Sequence, residues 1–138
     1  MRLRGNHVIS EFKGVCPYHD FCLEGLASGP AIEAQWKQPA DSLPPDHPAW
    51  VTEAQYLSEG IANIILVLSP EKIILGGGVM EQKNLFPMIH LNVKQLLNNY
   101  IQRTEITEKI EQYIVPPELG KKAGLLGAIA LALKTKGN

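Results

Sequence analysis

The clearest pattern along the chain is a three-to-four-residue beat of apolar side chains between positions 49 and 68. Ala54, Leu57, Ile61, Ile64, Ile65 and Leu68 recur at that step, which winds into one stripe of an α-helix. Gly60 lies inside the stripe, where it suits close packing of a neighbouring segment. Ser69-Pro70 ends the helix. A second stripe, Leu85, Ile89, Val93, Leu96 and Leu97, predicts a helix over 84–99. Residues 122–134 carry the run AGLLGAIALALK, small and apolar throughout, which predicts a third and mostly buried helix.

Two short segments read as strands instead. Lys72-Ile73-Ile74-Leu75 ends in Gly76-Gly77-Gly78, and Ile110–Val115 is stopped by Pro116-Pro117. Upstream, residues 1–15 are irregular, with Val8, Ile9 and Phe12 as apolar anchors. From Leu23 to Trp36 the pattern is helical but broken at Ser28-Gly29-Pro30. Proline disfavours helical geometry at the residue before it and suits the first turn of a new helix. Residues 37–49 are loop-like, with Pro39, Pro44, Pro45 and Pro48, and Asp46 or His47 is placed to cap the next helix. The order helix, strand, glycine turn, helix, strand, helix predicts an α/β unit.

With 138 residues and 45% hydrophobic content, the chain can bury a real core. A net charge of −1 offers no basic patch for nucleic acid. Apolar runs such as Ile61–Leu68 are too short to span a bilayer, and MRLRGNHVISEFKG lacks the apolar centre of a secretory signal. A soluble cytoplasmic protein without nucleic-acid or membrane partners is expected.

The densest chemistry lies in Gly14–Ile32. Cys16, His19 and Cys22 form C-x2-H-x2-C, and they include both cysteines of the chain. Thiolate and imidazole are the ligands tetrahedral Zn²⁺ prefers. A closed structural site needs a fourth ligand, and His7, a distant residue or water could fill it. The competing reading is of two ordinary buried thiols beside a surface histidine. Glu24 and the small-residue run Ala27-Ser28-Gly29-Pro30-Ala31 follow, so a metal knot, a carboxylate and a tight turn lie together. Gly76-Gly77-Gly78, leaving a strand, allows a flat or anionic ligand to approach backbone N–H groups without Cβ clashes. It serves equally as a sharp turn alone. The Leu119–Gly124 turn, Asp41, Asp46, His47, His90, Trp36 and Trp50 read first as structural or solvated residues.

Taken together, CPYHDFCLEGLASGPAIEAQW, SPEKIILGGGVM and PPELGKKAGLLGAIALA resemble the ROK family of sugar kinases, most closely its bacterial fructokinase branch. The resemblance covers nearly the whole chain with its motifs in order. It implies an actin-like, ribonuclease-H-like α/β fold of two domains, with ATP and sugar between them. It also implies Mg²⁺-assisted transfer of the γ-phosphoryl group to a hexose, D-fructose in this branch, and a homodimer. By position, Cys16, His19 and Cys22 match the zinc ligands, Glu24 the acid that contacts sugar hydroxyls, and Gly76, Gly77 and Gly78 the turn near the nucleotide. The family's Asp-x-Gly-Gly-Thr phosphate motif, its catalytic aspartate and its Glu-x-Gly-His motif have no counterpart in the sequence. They are expected upstream of Met1, so no catalytic residue is assigned. The chain is thus expected to be an incomplete, C-terminal ROK-type domain over 1–138, with its zinc-loop segment at about 7–32, and inactive alone. The other readings are a non-catalytic zinc-stabilised module that binds sugar or a partner, and a fragment of a sugar-responsive ROK repressor.

Overall fold

In the computed structural model, residues 12–135 are described. His7, Val8 and Ile9, and with them the start of the 7–32 segment, lie outside the described residues.

The centre of the fold is a pair of helices. Helix α3 spans Ala49–Leu68, matching the bounds its apolar beat predicts. Its start is set by Pro48, and the His47 ring accepts a hydrogen bond from the Ala49 N–H through Nδ1 at 3.1 Å. Ser69 ends it in the left-handed conformation, its N–H donating to the Ile65 carbonyl. Helix α4 covers Leu85–Leu97 and stops at Asn98, also left-handed. Ala54, Ile61 and Ile65 of α3 share one buried cluster with Leu85, Ile89, Val93 and Leu97 of α4. Full burial of each large aliphatic side chain stabilises by roughly 1.5–3 kcal/mol.

On this pair rests a small parallel sheet. Strand β1 (Ile73–Ile74) pairs with β2 (Ile114–Val115), Ile73 opposite Ile114. Parallel partners need a long crossover, and the chain makes it through the triple glycine, α4 and two single-turn helices, α5 (Thr104–Thr107) and α6 (Ile110–Tyr113). His90 Nε2 lies 2.8 Å from the Ile114 carbonyl, so α4 is tied to β2. The Tyr113 hydroxyl donates to the Pro70 carbonyl at 2.9 Å, and Arg103 stands over the Tyr113 ring. His90 thus serves structure, as its sequence setting suggests.

Two sequence expectations are corrected. Ile110–Val115 is not one strand: Ile110–Tyr113 turn as a helix and only Ile114–Val115 pair. A short apolar run fits either geometry, and here Ile110 and Tyr113, three apart, both point into the core. The last helix, α7 (Ala123–Thr135), has the expected place but not the expected burial. Leu125, Leu131 and Leu133 are 66%, 67% and 68% exposed.

Ahead of α3 the Leu23–Trp36 stretch breaks as its proline requires. Helix α1 is Leu23–Leu26, and α2 is Gly29–Trp36 with Pro30 in its first turn. Ser28 caps α2, its hydroxyl accepting from the Ala31 N–H at 3.3 Å. No described helix is long and apolar enough to cross a membrane.

Candidate metal loop and adjoining cavity

Residues 13–27 form a compact loop closed by backbone bonds. The Phe21 N–H donates to the Lys13 carbonyl at 2.8 Å, and the Val15 N–H to the Gly25 carbonyl at 2.9 Å. Lys13 and Asp20 add an exposed ion pair at 3.4 Å, worth little by itself. Phe21 sits at φ 57, the turn that brings Cys22 back towards Cys16.

Inside this loop the ligand atoms of Cys16, His19 and Cys22 all lie within 4.8 Å of one another. Ligands around one tetrahedral zinc stand about 3–4 Å apart, so a small contraction closes the set on an ion. Cys16 Sγ and His19 Nδ1 are already 3.3 Å apart. Both cysteines are free thiols. Cys22 is buried at the N-cap of α1, and its sulfur accepts from the Gly25 N–H at 3.3 Å. The Cys16 thiol pKa is held below its usual value, first by backbone N–H bonding at Tyr18, then at His19, against desolvation and the charge of Glu24. Metal binding takes cysteine as thiolate, the form this environment favours at Cys16. The residues present therefore fit Zn²⁺.

The loop is seated on α3. Leu26 and Tyr56 form a second buried cluster, with Phe12, Phe21, Leu23 and Ala27 packed against it. Gly60 lets Leu23 approach: a Cβ there would fall 2.7 Å from a Leu23 methyl. The close packing expected of Gly60 is met by the metal loop itself.

Beyond the loop, α2 opens onto a cavity of about 660 Å³. Gly29 and Pro30 form one side, Gly78 and Val79 another, and Trp50 lies in its wall. The small-residue turn after the metal loop and the turn after β1 thus face the same space. Of the three glycines, Gly78 reaches the cavity, while Gly76 and Gly77 precede it; Gly77 takes φ 103 to make the bend. Glu24 is exposed on α1 and lines neither this cavity nor the smaller one beside His47.

The electrostatics of the cavity are one-sided. Glu33, Asp41 and Glu81 line it, and no lysine or arginine does among the described residues. The start of α2 is no anion cradle: Pro30 has no N–H, and those of Ala31 and Ile32 are taken by Ser28. Such walls suit hydroxyl and amine donors, with glycine-turn backbone at one edge. Asp41 joins this lining from a loop that composition marks only as solvated.

Sequence reasoning also missed Glu53. It is 2% exposed inside α3, its Oε1 has no hydrogen-bond partner among the described residues, and burial pushes its carboxyl pKa up to about 8. Its position, three residues before Tyr56 and seven before Gly60, was the available signal.

Comparison with known proteins fits this geometry. The ROK family profile matches residues 5–135. A Bacillus subtilis (strain 168) protein named "Putative fructokinase" is 47% identical over 126 residues, covering 91% of this chain and 42% of that protein. "Fructokinase" of Pediococcus pentosaceus is 42% identical over 122 residues, 88% of this chain and 41% of that protein. "Fructokinase" of Lactococcus lactis subsp. cremoris is 36% identical over 132 residues, 95% and 44%. The chain thus spans less than half the length of these curated relatives. With a loop that gathers Cys16, His19 and Cys22, a glycine turn after a parallel strand and a family match over nearly its full length, the chain belongs to the ROK family.

Proposed function

We propose that this chain is the C-terminal part of an ATP-dependent fructokinase, forming D-fructose 6-phosphate in company with a further lobe. The observation that carries the reading is the single cavity onto which the segment after the metal loop and the triple-glycine turn both open. Names borne by the relatives give the substrate class.

In this reading Cys16, His19 and Cys22 hold a zinc ion, which when bound cross-links the loop and supplies no chemistry to phosphoryl transfer. The fixed loop sets the position of α1, and with it of Glu24, whose carboxylate accepts hydrogen bonds from sugar hydroxyls. Gly78 and the bend formed by Gly76 and Gly77 receive the nucleotide, which arrives as its Mg²⁺ complex. The acidic lining favours the ribose and base end of that ligand, and the phosphates point away from this chain. Phosphoryl transfer depends on positioning and charge stabilisation, and the chain has neither an Asp-x-Gly-Gly-Thr motif nor a Glu-x-Gly-His motif. Alone it binds without turning over. The exposed Leu125 and Leu133 of α7 and the exposed Ile74 of β1 support a lobe packed there, with a homodimer as the complete assembly.

The test is a titration of the purified chain with ADP, followed by amide NMR, beside a coupled assay of fructose phosphorylation. Shifts at Gly29, Gly78 and Trp50 without turnover are expected. Absence of shifts at these residues, or turnover at the rate of a full-length relative, refutes the assignment.

A further inference from the structure

Two glycines close the metal loop, and they do so for different reasons. Gly14 sits at φ +97, a conformation side chains rarely adopt. Gly25 does not: it lies in α1 without a positive φ, where alanine is favoured over glycine by about 1 kcal/mol. Conformation gives no reason for glycine at position 25.

Space does. A Cβ on Gly25 would fall 2.8 Å from Cys16 Cβ, 3.0 Å from Cys16 N and 3.1 Å from Cys22 Sγ. These atoms are backbone and metal ligands, so no free side-chain end can swing aside. The rest of the residue is equally engaged. Its N–H donates to Cys22 Sγ at 3.3 Å, and its carbonyl accepts from the Val15 N–H at 2.9 Å, next to Cys16. Gly14 presses from the other side, since its own Cβ would meet the Gly25 carbonyl at 2.8 Å.

We infer that Gly25 is the positioning residue of the metal centre. Its missing side chain sets the separation of the two sulfurs, and its N–H aims the Cys22 thiolate at the ion. Binding sites tolerate displacements of about 0.5 Å, and a methyl group at position 25 forces more than that between Cys16 and Cys22. The inference rests on the reading of Cys16, His19 and Cys22 as zinc ligands, and its test separates the two.

Zinc affinity is measured by competition with a chromophoric chelator for the natural chain, Gly25→Ala and, as a control, Gly124→Ala, whose added Cβ meets nothing within 4 Å. Gly25→Ala is expected to bind zinc at least tenfold more weakly, with Gly124→Ala unchanged. The metal-free chains should melt close together, the loss falling on the zinc-dependent rise in Tm; a purely structural defect lowers both. Equal affinity for the natural chain and Gly25→Ala overturns the inference. No zinc binding by the natural chain instead sinks the ligand assignment itself. Should Gly25→Ala fail to fold, the natural chain loaded with cadmium-113 decides. A scalar coupling between the metal and the Gly25 amide proton, carried through Cys22 Sγ, is expected, and its absence contradicts the proposed N–H contact.

Discussion

Helices α3 and α7 are both built from apolar residues and end in opposite situations. In α3, Ile61 and Ile65 are 3% and 1% exposed, packed among the aliphatic residues of α4. In α7, Leu125, Leu131 and Leu133 stay two-thirds exposed. Residue for residue, α7 is the more apolar of the two. What differs is whether a complementary surface lies among the described residues. Apolar content states that a helix needs a partner, and packing states whether this polypeptide supplies it.

The comparison can be broken by mutation. The largest effect is expected in α4, where Ile89 is fully buried against α3. Ile89→Ala should cost about 3 kcal/mol in urea unfolding, from lost transfer energy and the cavity left behind. A cost under about 1 kcal/mol would mean that the α3–α4 core is loosely packed.

Next comes Glu53, the one carboxyl buried in α3. Its folded carboxyl is raised to about 8 from a reference of 4.5, so the folded state holds a proton that the unfolded chain releases. Stability is greatest below about pH 4.5 for this group and falls as pH rises towards 8. The loss amounts to a few kcal/mol at most. Glu53→Gln should flatten that slope in unfolding experiments between those limits. An unchanged slope would show that the carboxylate is already charged and partnered in solution.

The metal loop sits between the two extremes, since its own buried cluster with α3 is small. Free zinc at 100 times its Kd should stabilise the chain by about 2.7 kcal/mol, and Cys22→Ser should abolish the increment. An increment that survives the substitution would place the metal elsewhere. The smallest effect is expected at Leu125, 66% exposed on α7, whose replacement by alanine should change stability by less than about 0.5 kcal/mol. A core-sized loss there would mean that α7 is packed after all and would erase the contrast with α3.

Much of this was legible in the sequence. The bounds of α3 follow from its apolar beat, Pro48 and Ser69-Pro70. The break at Ser28-Gly29-Pro30 follows from proline sterics. The C-x2-H-x2-C spacing identified the three residues whose ligand atoms converge. Three features were hidden for physical reasons. Ile110–Val115 is too short for periodicity to separate a helical turn from a strand. The exposure of α7 depends on a covering surface that hydrophobicity cannot locate. The meeting of Gly29 and Pro30 with Gly78 depends on the packing of α2 against α3, with Asp41 brought in by a loop whose composition suggests only solvent. Glu53 was partly legible: it shares a helix side with Tyr56 and Gly60, yet its charge argues for solvent, and the packing overrides it.

The central claim is that Cys16, His19 and Cys22 form one metal-held loop just ahead of the Gly29-Pro30 turn that lines the cavity. Elemental analysis of the purified chain, with Cys16→Ser beside it, tests this most directly. One zinc per natural chain and none in the variant is the predicted result. A natural chain free of zinc after purification and after zinc is supplied, with the thiols still reduced, would contradict it.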